Sequence, residues 1–293
     1  MLLSPTYREF AEELKRRLVG MMDLYIPRAH GNVGTKVRTK VREEQGDTEP
    51  VIDLDNHSLS VLCEVTSVFF PHDIMIGEED KRSADSMARI LATRDRGILT
   101  GDGLDGTWSF IRRTRSYGAM VSRRVGDHVE FAAAFRPVDM RLDGTGFFVA
   151  ERGKGTWEWC TDCATYHRLK TAAPGMFDPE TNPQALERFT ALLEGSSKNF
   201  GRAPVVFLVD KETTRASLSS CVASTTVARG DASALVAKGN KPWDNWPAML
   251  IIEEAGGKVT DFSGNPIRTE NAGDMIAAAN EADNAVIVKR LNP

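Results

Sequence analysis

Apolar residues near the start of the chain recur at helical spacing. Phe10, Leu14, Leu18 and Met21 share one face, and Ser4 followed by Pro5 is a helix-start signal, so an amphipathic first helix is predicted. Between Arg28 and Thr48 the periodicity lapses into Gly, Lys, Arg and Glu, which reads as a mobile loop leading to Pro50-Val51-Ile52. Leu59, Leu62, Val65 or Thr66, and Phe69 then mark a second helix that stops at Pro71 and has Asp55 near its start.

Short apolar runs follow. Ile74 to Ile76 and Ile98 to Leu99 read as strands, and each ends in acidic residues: Gly77-Glu78-Glu79-Asp80 and Gly101-Asp102. Tyr117 to Trp159 reads as a strand meander with turns at Gly126-Asp127, Asp143-Gly144 and Gly153-Lys154-Gly155, in a sheet that is at least partly antiparallel. A polar stretch from Pro174 to Gly201, with one helical pattern at Gln184 to Leu193, separates an N-terminal α+β half (1–175) from a C-terminal α/β half (176–293). The second half alternates: strand Val205 to Val209, helix Thr213 to Ala228, strand Ala234 to Ala237, helix Asn245 to Ala255, then strands Lys258 to Thr260 and Met275 to Ala278.

With 293 residues, 41% hydrophobic and 27% charged, the chain can bury a large core. A formal net charge of -4 provides no overall pull toward nucleic acid or acidic membranes. The charged N-terminus lacks a signal-peptide core and no apolar run approaches the roughly 20 residues of a membrane span, so a soluble cytoplasmic protein is expected. Four cysteines are too few for a disulfide scaffold. Cys160-x-x-Cys163 followed by His167 has the makings of a partial zinc site, but no second pair completes four ligands; the simpler reading is two thiols flanking a hairpin tip at Thr161-Asp162.

The chemistry concentrates in Gly101-Asp102-Gly103-Leu104-Asp105-Gly106-Thr107. Two carboxylates straddling glycines can be aimed at one point while the Leu104 carbonyl is exposed, which is the oxygen-rich setting of a hard cation. A helix starting at Gly106-Thr107 would add free backbone amides as a phosphate cradle. Asp244, in Trp243-Asp244-Asn245, is on its own either a helix N-cap or a ligand.

Gly77-Glu78-Glu79, then Asp102 to Thr107, then Trp243-Asp244 ahead of Glu254-Ala255-Gly256-Gly257-Lys258-Val259-Thr260-Asp261 stand in the order of the motifs of the inositol monophosphatase superfamily, which this chain resembles from about Pro50 to its end. The resemblance implies an α/β sandwich of alternating helix and sheet layers, with the site between two halves, and commonly a homodimer. It implies magnesium, in two or three ions and with manganese as an alternative, held by Glu78, Asp102 and the Leu104 carbonyl at one position and by Asp102, Asp105 and Asp244 at a second. Asp55 and Thr107 would position or activate a water, with Glu78 beside them, while Gly106 and Thr107 would bind the phosphate. The strings Asp105-Gly106-Thr107-Trp108-Ser109-Phe110 and Lys241-Pro242-Trp243-Asp244 are most similar to the histidinol-phosphate phosphatase branch.

Departures matter too. Gly103 replaces the family proline, so a looser turn is expected; Ile52 stands where threonine is usual; and Ala237 stands about where the inositol enzymes place a substrate-binding glutamate. Trp108, Arg112 and Arg115 are candidate substrate contacts, with a solvated loop as the plainer reading of the arginines. The expected function is a phosphomonoesterase acting on a histidinol-, sugar- or cyclitol-phosphate type of small molecule. A 3'(2'),5'-bisphosphate nucleotidase and a catalytically silent binding protein are the alternatives.

Overall fold

The computed structural model describes residues 3–25, 38–42, 47–171, 205–208, 214–217, 219–267 and 273–292. Helix α1 (Pro5–Gly20) buries Phe10, Ala11, Leu14 and Leu18, the predicted face, and a single turn, α2 (Met22–Tyr25), follows. Part of the segment read as a loop is a hairpin: β1 (Arg38–Arg42) pairs antiparallel with β2 (Asp47–Val51), from Arg38↔Val51 to Arg42↔Asp47. Ladder bonds are made by the backbone, so this ribbon forms without an apolar alternation to announce it. Helix α3 (Asp53–Phe69) then buries Leu54, Val61, Leu62 and Val65.

Strands β3 (Ile74–Gly77) and β4 (Ile98–Asp105) run parallel, linked through α4 (Ala84–Ala92), a helix absent from the sequence reading and without a buried residue. After α5 (Thr107–Ile111), the chain returns as β5 (Gly118–Val125) and β6 (His128–Phe135). The meander expected next is interrupted by α6 (Pro137–Asp143), with Pro137 in its first turn and Gly144 left-handed at its end. Then come β7 (Phe147–Glu151), β8 (Gly155–Cys160) and β9 (Thr165–Arg168), completing a seven-stranded sheet in the order β3-β4-β5-β6-β7-β8-β9.

The second sheet contains β10 (Val205–Leu208), β11 (Thr214–Ser217), β12 (Ala234–Ala237), β13 (Lys258–Thr260) and β14 (Met275–Ala278), ordered β11-β10-β12-β14-β13 and antiparallel throughout. Three helices accompany it: α7 (Ser220–Arg229), α8 (Pro242–Glu254) and α9 (Glu281–Leu291). The helix expected from Thr213 begins only at Ser220, because Thr214–Ser217 pairs with β10. The Gln184 to Leu193 pattern and the 175/176 boundary lie outside the described residues.

Strand alternation sorts the apolar residues into layers. Phe131, Ala133 and Phe135 face α1 and α3, while Ala132 and Ala134 face Val227, Trp246 and Leu250 of α7 and α8. Those two helices also cover Leu235, Ala237, Met275 and Ala277 of the second sheet, whose far face (Ala234, Val236, Ile276, Ala278) packs on Ile287 of α9. The result is five alternating layers, helix, sheet, helix, sheet, helix, as the α/β sandwich expectation required.

Candidate active site

Asp102 and Asp105 share strand β4, and in a regular strand residues three apart point to opposite faces. Here Asp102 pairs with Met120 and Asp105 with Gly118, so β4 carries one residue more than β5 across that interval. The bulge reverses the alternation and turns both carboxylates to one side. Asp244 arrives from α8, and ligand oxygens of all three buried carboxylates lie within 4.8 Å of one another.

Asp244 and Asp55 are placed by the same local device. Each is the third residue of a helix and folds its carboxylate back onto the N-cap amide: Ile52 N donates to Asp55 Oδ2 at 2.6 Å, and Lys241 N to Asp244 Oδ2 at 3.3 Å. Asp244 is thus neither ahead of its helix nor its N-cap, since α8 starts at Pro242.

Asp105 is anchored from the second half of the chain. Its Oδ2 accepts the Ser219 hydroxyl and the Cys221 amide, both at 2.6 Å. Ser219 and Cys221 were not singled out in the sequence; a serine pair ahead of a helical run is an N-cap signal, but nothing local pairs it with a carboxylate more than 100 residues away. Asp102 Oδ1 accepts the Leu104 amide at 2.9 Å. Thr107 Oγ1 lies 3.0 Å from Asp55 Oδ1 and 3.2 Å from the Leu104 carbonyl, donating its one proton to either.

Glu78, at the end of β3, is half-buried and reaches Asp102, and its charge also acts on Asp55 and Asp105. Burial, and then this crowding of like charge, raises the acids: Asp55 to about 7, Asp105 to about 6 despite the Ser219 hydroxyl and the Ser220 and Cys221 amides, and Asp102 well above the carboxylate range. Two charges at such spacing repel by roughly 3 kcal/mol at an effective dielectric of about 20, so three pairs approach the whole stability of a typical domain. The trio must hold protons or a cation. An all-oxygen donor set fits magnesium or manganese.

Gly103 is not the loose point expected. A Cβ there would lie 2.5 Å from Leu59 N and 3.0 Å from the Asp55 carbonyl, so glycine permits close approach of β4 to α3. Gly106 is left-handed (φ 89°) at the N-cap of α5, and a Cβ would meet the Ser116 carbonyl at 2.5 Å. The amides of Thr107 and Trp108 in the first turn of α5 have no helical carbonyl of their own to pair with. Trp108 is 41% exposed, Arg112 stacks 5.0 Å from its ring centroid, and Arg115 is exposed. Ala237 is fully buried in β12 and offers no polar contact.

Comparison with known proteins agrees with this geometry. The inositol monophosphatase family profile matches residues 6–292. A glucose-1-phosphate thymidylyltransferase of Streptomyces griseus is 27% identical, covering 75% of this chain and 76% of its own. A histidinol-phosphatase of Chlorobaculum parvum is 27% identical (80% and 81% covered), and a putative Nus factor SuhB of Neisseria meningitidis 26% identical (86% of each). A solved IMPase/NADP phosphatase complexed with Mg2+ and phosphate shares the fold at TM-score 0.62 and 16% identity, covering 96% of this chain and 94% of its own. With the family profile spanning nearly its whole length and Asp102, Asp105 and Asp244 gathered around one point, the chain belongs to the inositol monophosphatase family of metal-dependent phosphomonoesterases.

Proposed function

We propose that the protein hydrolyses a small-molecule alcohol phosphate of the histidinol-, sugar- or cyclitol-phosphate type at this site. The observation that carries the reading is the buried convergence of Asp102, Asp105 and Asp244 within 4.8 Å, a cluster that needs a cation to ionise fully. Glu78, Asp102 and the Leu104 carbonyl are assigned to one magnesium position and Asp102, Asp105 and Asp244 to the second, in a total of two or three ions. Bound there, the ions would neutralise phosphate oxygens, lower the pKa of the attacking water and stabilise the leaving alkoxide.

The chain's own groups handle the proton and the phosphate. Thr107 donates to Asp55 Oδ1, which leaves the hydroxyl oxygen free to accept from a water and aim it. Asp55, raised to about 7 in the metal-free chain, is an acid–base group near neutral pH. The amides of Gly106 and Thr107 are assigned to the phosphate oxygens. Both halves contribute, since Asp244 and the Ser219 and Cys221 donors come from residues 176–293.

Substrate choice is assigned to the rim. The similarity of the Asp105–Phe110 and Lys241–Asp244 strings to the histidinol-phosphate phosphatase branch favours that type. The exposed Trp108–Arg112 stack supports a second reading, a nucleoside bisphosphate whose base lies on the indole and whose second phosphate meets Arg112 or Arg115.

The test is phosphate release from histidinol phosphate, inositol and sugar phosphates and adenosine 3',5'-bisphosphate, with and without magnesium, beside Asp105→Asn. Magnesium-dependent release lost in the variant is expected, and the preferred substrate names the branch. No release from any of them by folded protein would overturn the reading in favour of a binding role. If KM for every active substrate is unchanged in Arg112→Ala and Arg115→Ala, the arginines are surface charge only.

A further inference from the structure

Far along the seven-stranded sheet from the carboxylate cage, the β8–β9 hairpin gathers a second donor set of different character. Cys160 Sγ, Cys163 Sγ and a ring nitrogen of His167 all lie within 4.8 Å of one another. The register explains how. Cys160 pairs with Thr165 and Glu158 with His167, so alternation places Cys160 and His167 on one face as diagonal neighbours, a separation an imidazole can span. Cys163 sits in the connecting turn, where Ala164 N donates to the Thr161 carbonyl at 3.1 Å and Ala164 itself is left-handed (φ 49°). That reversal folds the Cys163 side chain back over the strand ends. Thr161 N donates to the Gly144 carbonyl at 2.7 Å, so the tip is fastened to the end of α6.

We propose that Cys160, Cys163 and His167 form a zinc site on this hairpin, with a solvent molecule completing the tetrahedron. Two thiolates and an imidazole are a borderline-soft set that suits zinc and disfavours magnesium, so this site and the carboxylate cage divide the two metals by ligand chemistry. Tetrahedral zinc spaces its sulfur and nitrogen donors by about 3.5 Å, so from separations within 4.8 Å the three need to close by roughly 1.3 Å at most. Cys163 and His167 are exposed and Cys160 is half-buried, at the tip of an edge strand where such an adjustment meets little packing. Binding replaces two S–H protons with one divalent ion, leaving the site neutral and releasing two protons per zinc. The ion then clamps β9, the short outermost strand, to β8.

A redox pair is the competing chemistry for Cys-x-x-Cys, but both thiols are free, and a disulfide gives His167 no part. The experiment is cobalt titration of the reduced, metal-stripped full chain, followed by zinc displacement. Because sulfur-to-cobalt charge transfer in the near ultraviolet requires thiolate, oxygen-bound cobalt in the carboxylate cage does not contribute. One equivalent giving this band, with zinc abolishing it and raising the melting temperature, is expected. Cys163→Ser should lose the band, His167→Ala should weaken zinc by about tenfold or more, and Cys63→Ser should change neither. Magnesium-dependent phosphate release should persist in all three. Absence of the band in the wild type, equal zinc affinity in His167→Ala, or isolation of a zinc-insensitive chain lighter by two hydrogens, with Cys160 joined to Cys163, would overturn the proposal.

Discussion

The buried hydroxyl of Tyr25 donates to the Gly103 carbonyl at 2.7 Å, joining the end of the N-terminal helical segment to the peptide between the two cage aspartates of β4. Gly103 is thus gripped twice, by this bond and by its close approach to Leu59 and Asp55 of α3. The residue that departs from the family pattern is one of the more constrained points of the site.

Tyr25→Phe leaves that carbonyl buried without its donor, and a loss of about 1–3 kcal/mol is expected in urea unfolding, with weaker magnesium activation. Gly103→Pro, which restores the family residue, is expected to destabilise rather than repair, because its Cβ would need the backbone of Leu59 to move. Equal or greater stability in Gly103→Pro would show that α3 can withdraw.

Asp105→Asn keeps an oxygen for the Ser219 and Cys221 donors but removes a charge from the cage. Phosphate release is expected to fall about 100-fold or more, the scale for losing a group that acts on developing charge. The metal-free melting temperature should stay level or rise, since one repelling charge is gone. A large fall in both would make Asp105 a folding residue first.

Proton linkage predicts an inverted pH profile for metal-free protein. Asp55 at about 7 and Asp105 at about 6 are raised above the roughly 3.9 of an unfolded aspartate. Their stabilising contribution is complete below about pH 4 and is lost as pH climbs through 6 to 7. Differential scanning fluorimetry in a chelator should give a higher melting temperature at pH 5 than at pH 8, and saturating magnesium should remove or reverse the difference.

Away from the cage, Arg229 near the end of α7 holds Asp139 Oδ2 at 3.0 Å and Glu158 Oε2 at 3.0 Å, while Glu158 also accepts the Gly146 amide. Arg229→Met leaves the part-buried Glu158 without its cation, while Asp139 keeps Arg136 at 2.9 Å, and a loss of about 3 kcal/mol, the low end for breaking a buried pair, is expected. Denaturant unfolding measures it; a loss under about 1 kcal/mol would mean that Glu158 finds solvent instead.

Much of the architecture was legible because it follows from local periodicity. Phe10, Leu14 and Leu18 announced α1, and the apolar runs ending in Glu78 and Asp102 announced strands that deliver acids. Helix α4 carried a short signal of its own, Met87, Ile90 and Leu91 behind the Ser83 N-cap, which pack partly buried on the core, whereas the β1–β2 ribbon escaped because its bonds lie in the backbone. The sequence by itself determined the family, since three separated motifs specify residue types and their order. Tertiary structure alone decided how they meet: the bulge that turns Asp102 and Asp105 to one side, the Ser219 and Cys221 donors brought to Asp105, and the hairpin register that sets His167 beside two thiols. Side-chain type is a property of one position, whereas convergence depends on strand register and layer packing, which are properties of the whole chain.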